Sequence, residues 1–172
     1  MRADAKRNRD RLLEVATRAF AAGGSDASLE GIARAAGVGI GTLYRHFPTR
    51  EALVEAAYRN ELERLCSAAP DVGLREWMDL FVDYMTTKHG MADALRAVIA
   101  SGGNPYEHSR TRLLEAITHF IDAGELRPDV RAEDFLTALS GITLAAQPGQ
   151  AGRLLDLLMN GTSRPAGPPG GS

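Results

Sequence analysis

The stretch LEGIARAAGVGIGTLYRHFPTRE, from Leu29 to Glu51, limits this chain more than any other. Ile32, Ala33, Ala35 and Ala36 set small and apolar side chains along one short helix. Gly37 suits the positive φ that a sharp turn between helices requires. After Val38, residues 39–47 read as a second short helix. Leu43 and Phe47 are four apart and share its buried face. Ile40, Gly41, Thr42, Tyr44, Arg45 and His46 are left on the outer side. Ser28 suits the N-cap of the first helix, because its hydroxyl can accept from an unpaired amide of the first turn. Two short helices joined in this way form a helix-turn-helix, whose second helix enters the major groove of DNA.

The motif AxxAGVxxGTLYxHFPxxExL, from Ala33 to Leu53, resembles the DNA-binding signature of TetR-family transcriptional regulators, and the resemblance extends over about Leu12 to Tyr58. It implies an all-α chain of about nine helices. A three-helix DNA-binding head, residues 1–48, would precede an antiparallel helical bundle for ligand sensing and dimerisation, residues 49–160. It also implies a DNA-facing set of Ser28, Gly39, Ile40, Gly41, Thr42, Tyr44, Arg45, His46 and Arg50. In the family the positions of Thr42 and Tyr44 commonly touch phosphates, and the position of Arg50 usually carries lysine. Arg45 is the expected base reader, since its fork matches guanine O6 and N7. Gly39 and Ile40 depart from the commoner Ser followed by a polar residue. Gly39 caps less firmly, and Ile40 offers apolar contact, for instance to a thymine methyl.

Charge placement agrees with one DNA-facing end. The formal net charge is −2, yet residues 1–50 hold nine basic and five acidic side chains and are net +4, leaving −6 for the remainder. A basic first third on an acidic body places the electrostatic footprint at the N-terminal end. Residues 1–9 read as a polar basic arm, disordered when free, that can reach phosphates or a minor groove. The single cysteine, Cys66, rules out an internal disulfide and fits a reducing cytoplasm. No apolar run approaches the roughly eighteen residues of a membrane span, and no secretory signal is expected.

Apolar residues at helical spacing predict the remaining elements. Asp10 to Ala22 forms the first helix, closed by Gly23-Gly24. Pro48 stops the third, and Thr49 caps a fourth from about Arg50 to Ala68. A fifth runs from Leu74 to about His89 and a sixth from Met91 to Ala100. Asn104-Pro105 reads as a cap followed by proline at the first position of a seventh, which runs to about Ala123. An eighth spans about Ala132 to Ala146, and a ninth ends near Met159. Residues 161–172, rich in Gly, Pro and Ser, are expected to be disordered.

A single small head makes few base contacts, so site selection calls for a homodimer on a near-palindromic double-stranded DNA operator. Phe135, Leu136, Leu139, Ile142, Thr143, Leu155 and Leu158, on the last two helices, are the expected dimer interface, with Leu144 beside them. The resemblance implies that these helices pair as a four-helix bundle. The body would sense a small-molecule effector, in a pocket lined by Trp77, Met78, Phe81, Tyr84, Met85, His89, Met91, His119 and Phe120. An aromatic and methionine stripe of this kind is also what an ordinary core shows. The expected protein is a ligand-responsive repressor, with no cofactor, no catalytic residue and no membrane partner.

The sequence admits three other readings. A metal sensor would use His89 with Asp93, Glu115 with His119, or His108, but four scattered histidines and no CxxC or HxxxH speak against it. An enzyme would need a motif such as GxSxG or a phosphate-cradling loop, and neither is present. A helical adaptor remains if Gly39 and Ile40 have weakened the head.

Overall fold

The computed structural model describes the backbone of residues 2–163 and the side chains of residues 6–163 other than Ser25. Among these residues there are nine α-helices and no strand; Leu126 and Ser163 form an isolated bridge. The all-α class therefore holds. The helices are α1 (Arg2–Gly23), α2 (Leu29–Ala35), α3 (Ile40–His46), α4 (Arg50–Ala68) and α5 (Leu74–Gly90), followed by α6 (Ala92–Ala100), α7 (Ser109–Asp122), α8 (Ala132–Ala145) and α9 (Ala151–Thr162). None is long and apolar enough to cross a membrane. The chain divides into two compact units, Met1–Arg64 with Asp83–Ser109, and Leu65–Val82 with Arg110–Ser172.

In the first unit, α1 buries Leu12, Leu13, Ala16 and Phe20. A 3-10 turn at Gly24–Asp26 leads to α2, where the Gly31 N–H donates to Ser28 Oγ at 3.1 Å. Gly37 takes φ +70°, and the Val38 N–H reaches back to the Ala33 carbonyl at 3.0 Å. That positive φ is the left-handed cap glycine accepts without strain. Thr49 caps α4 by accepting the Ala52 N–H at 3.1 Å. Leu53, Val54, Ala57 and Tyr58 of α4 complete the buried layer of this unit together with Ala94, Leu95 and Val98 of α6. At the end of α5, a Cβ on Gly90 would stand 2.5 Å from the Ala21 carbonyl oxygen of α1. Only glycine allows the two backbones to approach this closely.

The second unit is built around Trp77. Its ring lies against Phe81 and Phe120 at centroid distances of 5.9 and 5.6 Å, and its indole N–H donates to the Leu65 carbonyl at 2.9 Å. Ile117, Leu126, Phe135, Leu139 and Leu155 close the core around it. Glu125 caps α5 by accepting the Leu74 N–H at 2.7 Å.

Three boundaries differ from the sequence expectation. The backbone is helical from Arg2, so most of the expected arm is the first turns of α1. Residues 2–9 contain no Gly or Pro to stop a helix, and the Arg9 guanidinium lies over the Phe47 ring at 5.7 Å. Asn104 and Pro105 do not start α7. Asn104 Oδ1 instead accepts the Tyr106 N–H at 3.3 Å, Tyr106 packs edge-on against Tyr58 at 5.4 Å, and the helix begins at Ser109. Finally, α9 continues through Gly161 and Thr162, and the Arg127 N–H donates to the Thr162 carbonyl at 2.9 Å. The rest of the expected tail, from residue 164, lies outside the described residues.

Candidate DNA interface

Seven residues make α3, and its side chains divide cleanly. Leu43 is fully buried and Phe47, at its C-cap, is nearly so. These two anchor the helix to its unit. Ile40, Gly41, Tyr44, Arg45 and His46 are exposed, and Thr42 is half-buried. Ile40 and Tyr44 are large apolar-bodied side chains left 37% and 45% exposed, against the ordinary preference for burial. The Arg45 guanidinium donates from Nη2 to Thr42 Oγ1 at 2.9 Å. That bond lays the cation along the outer face of the helix, leaving its remaining donors to reach a groove.

Gly39 is the N-cap of α3 and offers no side-chain bond to the first turn. A Cβ at Gly39 or Gly41 would meet nothing in the protein within 4 Å. Packing therefore does not explain either glycine. Both leave backbone bare on either side of Ile40, so a partner surface can lie directly against the start of the helix.

Two further members of the DNA-facing set, Ser28 and Arg50, bond groups outside α3. Ser28 Oγ accepts the Gly31 N–H and donates to Glu30 Oε2 at 3.1 Å, so this hydroxyl serves the start of α2. Arg50 points into its own unit. It donates from Nη1 to the Ala27 carbonyl at 2.6 Å and from Nη2 to the Gly24 carbonyl at 3.3 Å, and it lies over the Phe20 ring at 5.0 Å. This geometry makes Arg50 a clamp on the α1–α2 connection. Arg50→Ala should lower stability by about 1.5–3 kcal/mol, the range for hydrogen bonds to a charged group. Chemical denaturation measures this. Unchanged stability, with the salt slope of DNA binding reduced by about one, would return Arg50 to the phosphate side.

The expected ligand-pocket residues are divided between the two units. Trp77, Met78, Phe81 and Phe120 are buried in the core of the second unit, where the Trp77 ring lies against those of Phe81 and Phe120. Tyr84, Met85 and Met91 are buried in the first unit, and His89 is exposed there. His119 lies exposed on α7, beside an open depression lined by Thr111, Leu114, Glu115, Thr118 and Asp122. Among the described residues no three His, Cys, Asp or Glu side chains converge as a metal site would require.

The expected dimer face is likewise split. Phe135, Leu136, Leu139 and Leu155 are buried inside their own unit, while Ile142, Thr143 and Leu158 are half-buried. Leu144 on α8 and Leu157 on α9 are exposed, each at 68%. Leu157 was missed in the sequence reading. The signal was present, since Leu154, Leu155, Leu157 and Leu158 cannot all share one face at 100° per residue.

Known proteins resemble the chain along its whole described length. A family model for bacterial regulatory proteins of the tetR family matches residues 12–57, and one for the C-terminal domain of SbtR-like transcriptional regulators matches residues 69–163. The crystal structure of the TetR transcriptional regulator SCO0520 from Streptomyces coelicolor is 52% identical, with a TM-score of 0.84 over 92% of this chain and 99% of that one. A TetR regulatory protein from Mycobacterium vanbaalenii is 31% identical, with a TM-score of 0.72 over 95% and 99%. The HTH-type transcriptional regulator SAR2658 of Staphylococcus aureus is 29% identical over 126 residues, covering 70% of this chain and 68% of that protein.

Proposed function

Because the chain belongs to the TetR family of DNA-binding, non-enzymatic transcriptional regulators, we propose that it is a repressor that binds a near-palindromic operator as a homodimer and leaves it when a small-molecule effector binds. One observation carries the DNA-reading part: α3 buries Leu43 and Phe47 and turns Ile40, Tyr44, Arg45 and His46 outward beside bare glycine backbone. In this reading residues 1–48 are the DNA-reading head and residues 49–160 sense the effector and pair. Tyr44 and Thr42 hold phosphates, Arg45 reads a base edge, and Ile40 lies against a base methyl. The protein acts where the DNA is, in the cytoplasm.

The second copy is needed to place two heads about one helical turn, roughly 34–36 Å, apart. Exposed Leu144 and Leu157, with Ile142, Thr143 and Leu158 at their margins, supply the apolar face for pairing. The four buried members of the expected set support that face from beneath.

Gel shifts against the DNA flanking the protein's own gene test the reading. Specific binding at moderate salt is expected, and Arg45→Ala should cost about 1–3 kcal/mol at one base position. Binding no tighter than to random DNA would overturn the proposal. A uniform loss at all positions would move Arg45 to the phosphate set.

A further inference from the structure

Tyr58 on α4, Tyr84 on α5 and Ser109 at the start of α7 bring three hydroxyls together inside the first unit. The Tyr58 hydroxyl lies 2.6 Å from that of Tyr84 and 3.0 Å from Ser109 Oγ, and all three side chains are at most 8% exposed. Beside this chain stands Tyr106, edge-on to Tyr58. Tyr106 also touches Lys88, whose Nζ lies 4.9 Å from the ring centroid. Tyr84 and Lys88 are four apart on α5 and so share its face. Tyr106 therefore touches both the Lys88 ammonium and the tyrosine at the centre of the hydroxyl chain.

Lys88 is half-buried, and burial pulls its ammonium below the ordinary lysine value with no carboxylate opposing the shift. The same burial raises the Tyr106 phenol and keeps it neutral. A partly desolvated cation whose described partner is only a ring face is an unusual residue to keep in a protein interior. The hydroxyl chain adds to this. Hydroxyl protons rotate, so the chain can turn a donor toward an incoming acceptor by giving up one internal contact.

We propose that Lys88, Tyr106 and the Tyr58–Tyr84–Ser109 hydroxyls form the polar end of the effector site, and that the effector carries a single carboxylate. The proposal rests on the ligand-responsive reading above and adds the chemical class to it. One ammonium balances one negative charge, and the hydroxyls supply the remaining hydrogen bonds a desolvated carboxylate needs. A dianionic phosphate would stay under-compensated. The three tyrosine rings favour an apolar body behind the acid group. The helix that presents Tyr84 and Lys88 ends at Gly90, against the backbone of α1. Occupancy of the site therefore acts on a helix already touching the first helix of the DNA-reading head.

Octanoate, octan-1-ol and octylamine, titrated into the full chain by calorimetry, separate charge from chain length. Octanoate should bind about tenfold or more tightly than either of the others, as one charge-assisted contact implies. Lys88→Met should bring octanoate to the level of the alcohol, and Lys88→Arg should restore most of the difference. The Lys88→Met protein should also melt no lower than the parent, since it exchanges a half-buried charge on a ring face for an apolar side chain. Equal binding of octanol or octylamine, octanoate binding that survives Lys88→Met, or no octanoate binding at all would overturn the acid site. Parallel gel shifts distinguish the two readings. Operator release by the alcohol alone would remove the acid site and leave the inducible repressor standing. Octanoate bound through Lys88 without release would remove induction by this route and leave the site.

Discussion

Leu144→Glu combined with Leu157→Glu should convert the protein from a dimer to an 18.4 kDa monomer in sedimentation experiments. Both leucines are 68% exposed. Leaving two such side chains in water forgoes burial free energy of roughly 25 cal/mol for each Å² of apolar surface. A symmetric partner recovers it on both copies, because a twofold interface uses the same patch twice. The double substitution would bring four carboxylates into that patch, where like charges repel at low dielectric. Neither side chain takes part in its own core, so the melting temperature of the monomer should barely move; exposed substitutions usually fall within about 0.5 kcal/mol. DNA affinity should fall about a hundredfold or more, since the second head no longer binds at high effective concentration. A dimer that survives both changes would remove α8 and α9 from the interface. Leu139 would be a poor probe of the same question. It is fully buried, and a carboxylate there would disrupt the unit before it reported on pairing.

The other large effect is expected at Phe47. Phe47→Ala should destabilise the first unit by about 3–5 kcal/mol, as removal of a buried aromatic ring usually does. The ring is 4% exposed, carries the Arg9 guanidinium above it, and is the second of the two anchors that hold α3 in place. Its backbone also ends the helix, with the Phe47 N–H donating to the Leu43 carbonyl at 2.8 Å. Natural domains are stable by only about 5–15 kcal/mol, so a loss of this size is a large share of the whole. The melting temperature should drop on the order of 10 °C. Operator binding should be lost at temperatures where the parent still binds. The second unit gives an internal control, because Trp77 fluorescence reports on a core that does not contain Phe47. A change below about 1 kcal/mol would mean that α3 is held by other contacts.

The sequence by itself determined what is local. The cap at Ser28, the left-handed glycine at Gly37 and the Leu43–Phe47 pair each depend on residues within a turn or two of one another. Their geometry follows from hydroxyl reach, glycine sterics and the 3.6-residue period, so the recognition helix and its outward set were legible before any coordinates. The tertiary structure decided everything that depends on distant partners. Arg50 matches a family phosphate position in the sequence, and only the fold brings it to the Gly24 carbonyl, 26 residues away. Asn104-Pro105 had the signature of a helix start, but the segment folds back so that Tyr106 can reach Tyr58. Leu139 and Leu157 have the same chemistry and opposite roles, because period and composition mark a leucine as apolar without saying which neighbour covers it. Tyr58 and Ser109, 51 residues apart, meet with Tyr84 beside Lys88 only when three helices pack. Local stereochemistry therefore determined α3 and its outward-turned side chains. Long-range packing alone decided which leucines stay exposed and which hydroxyls are buried together.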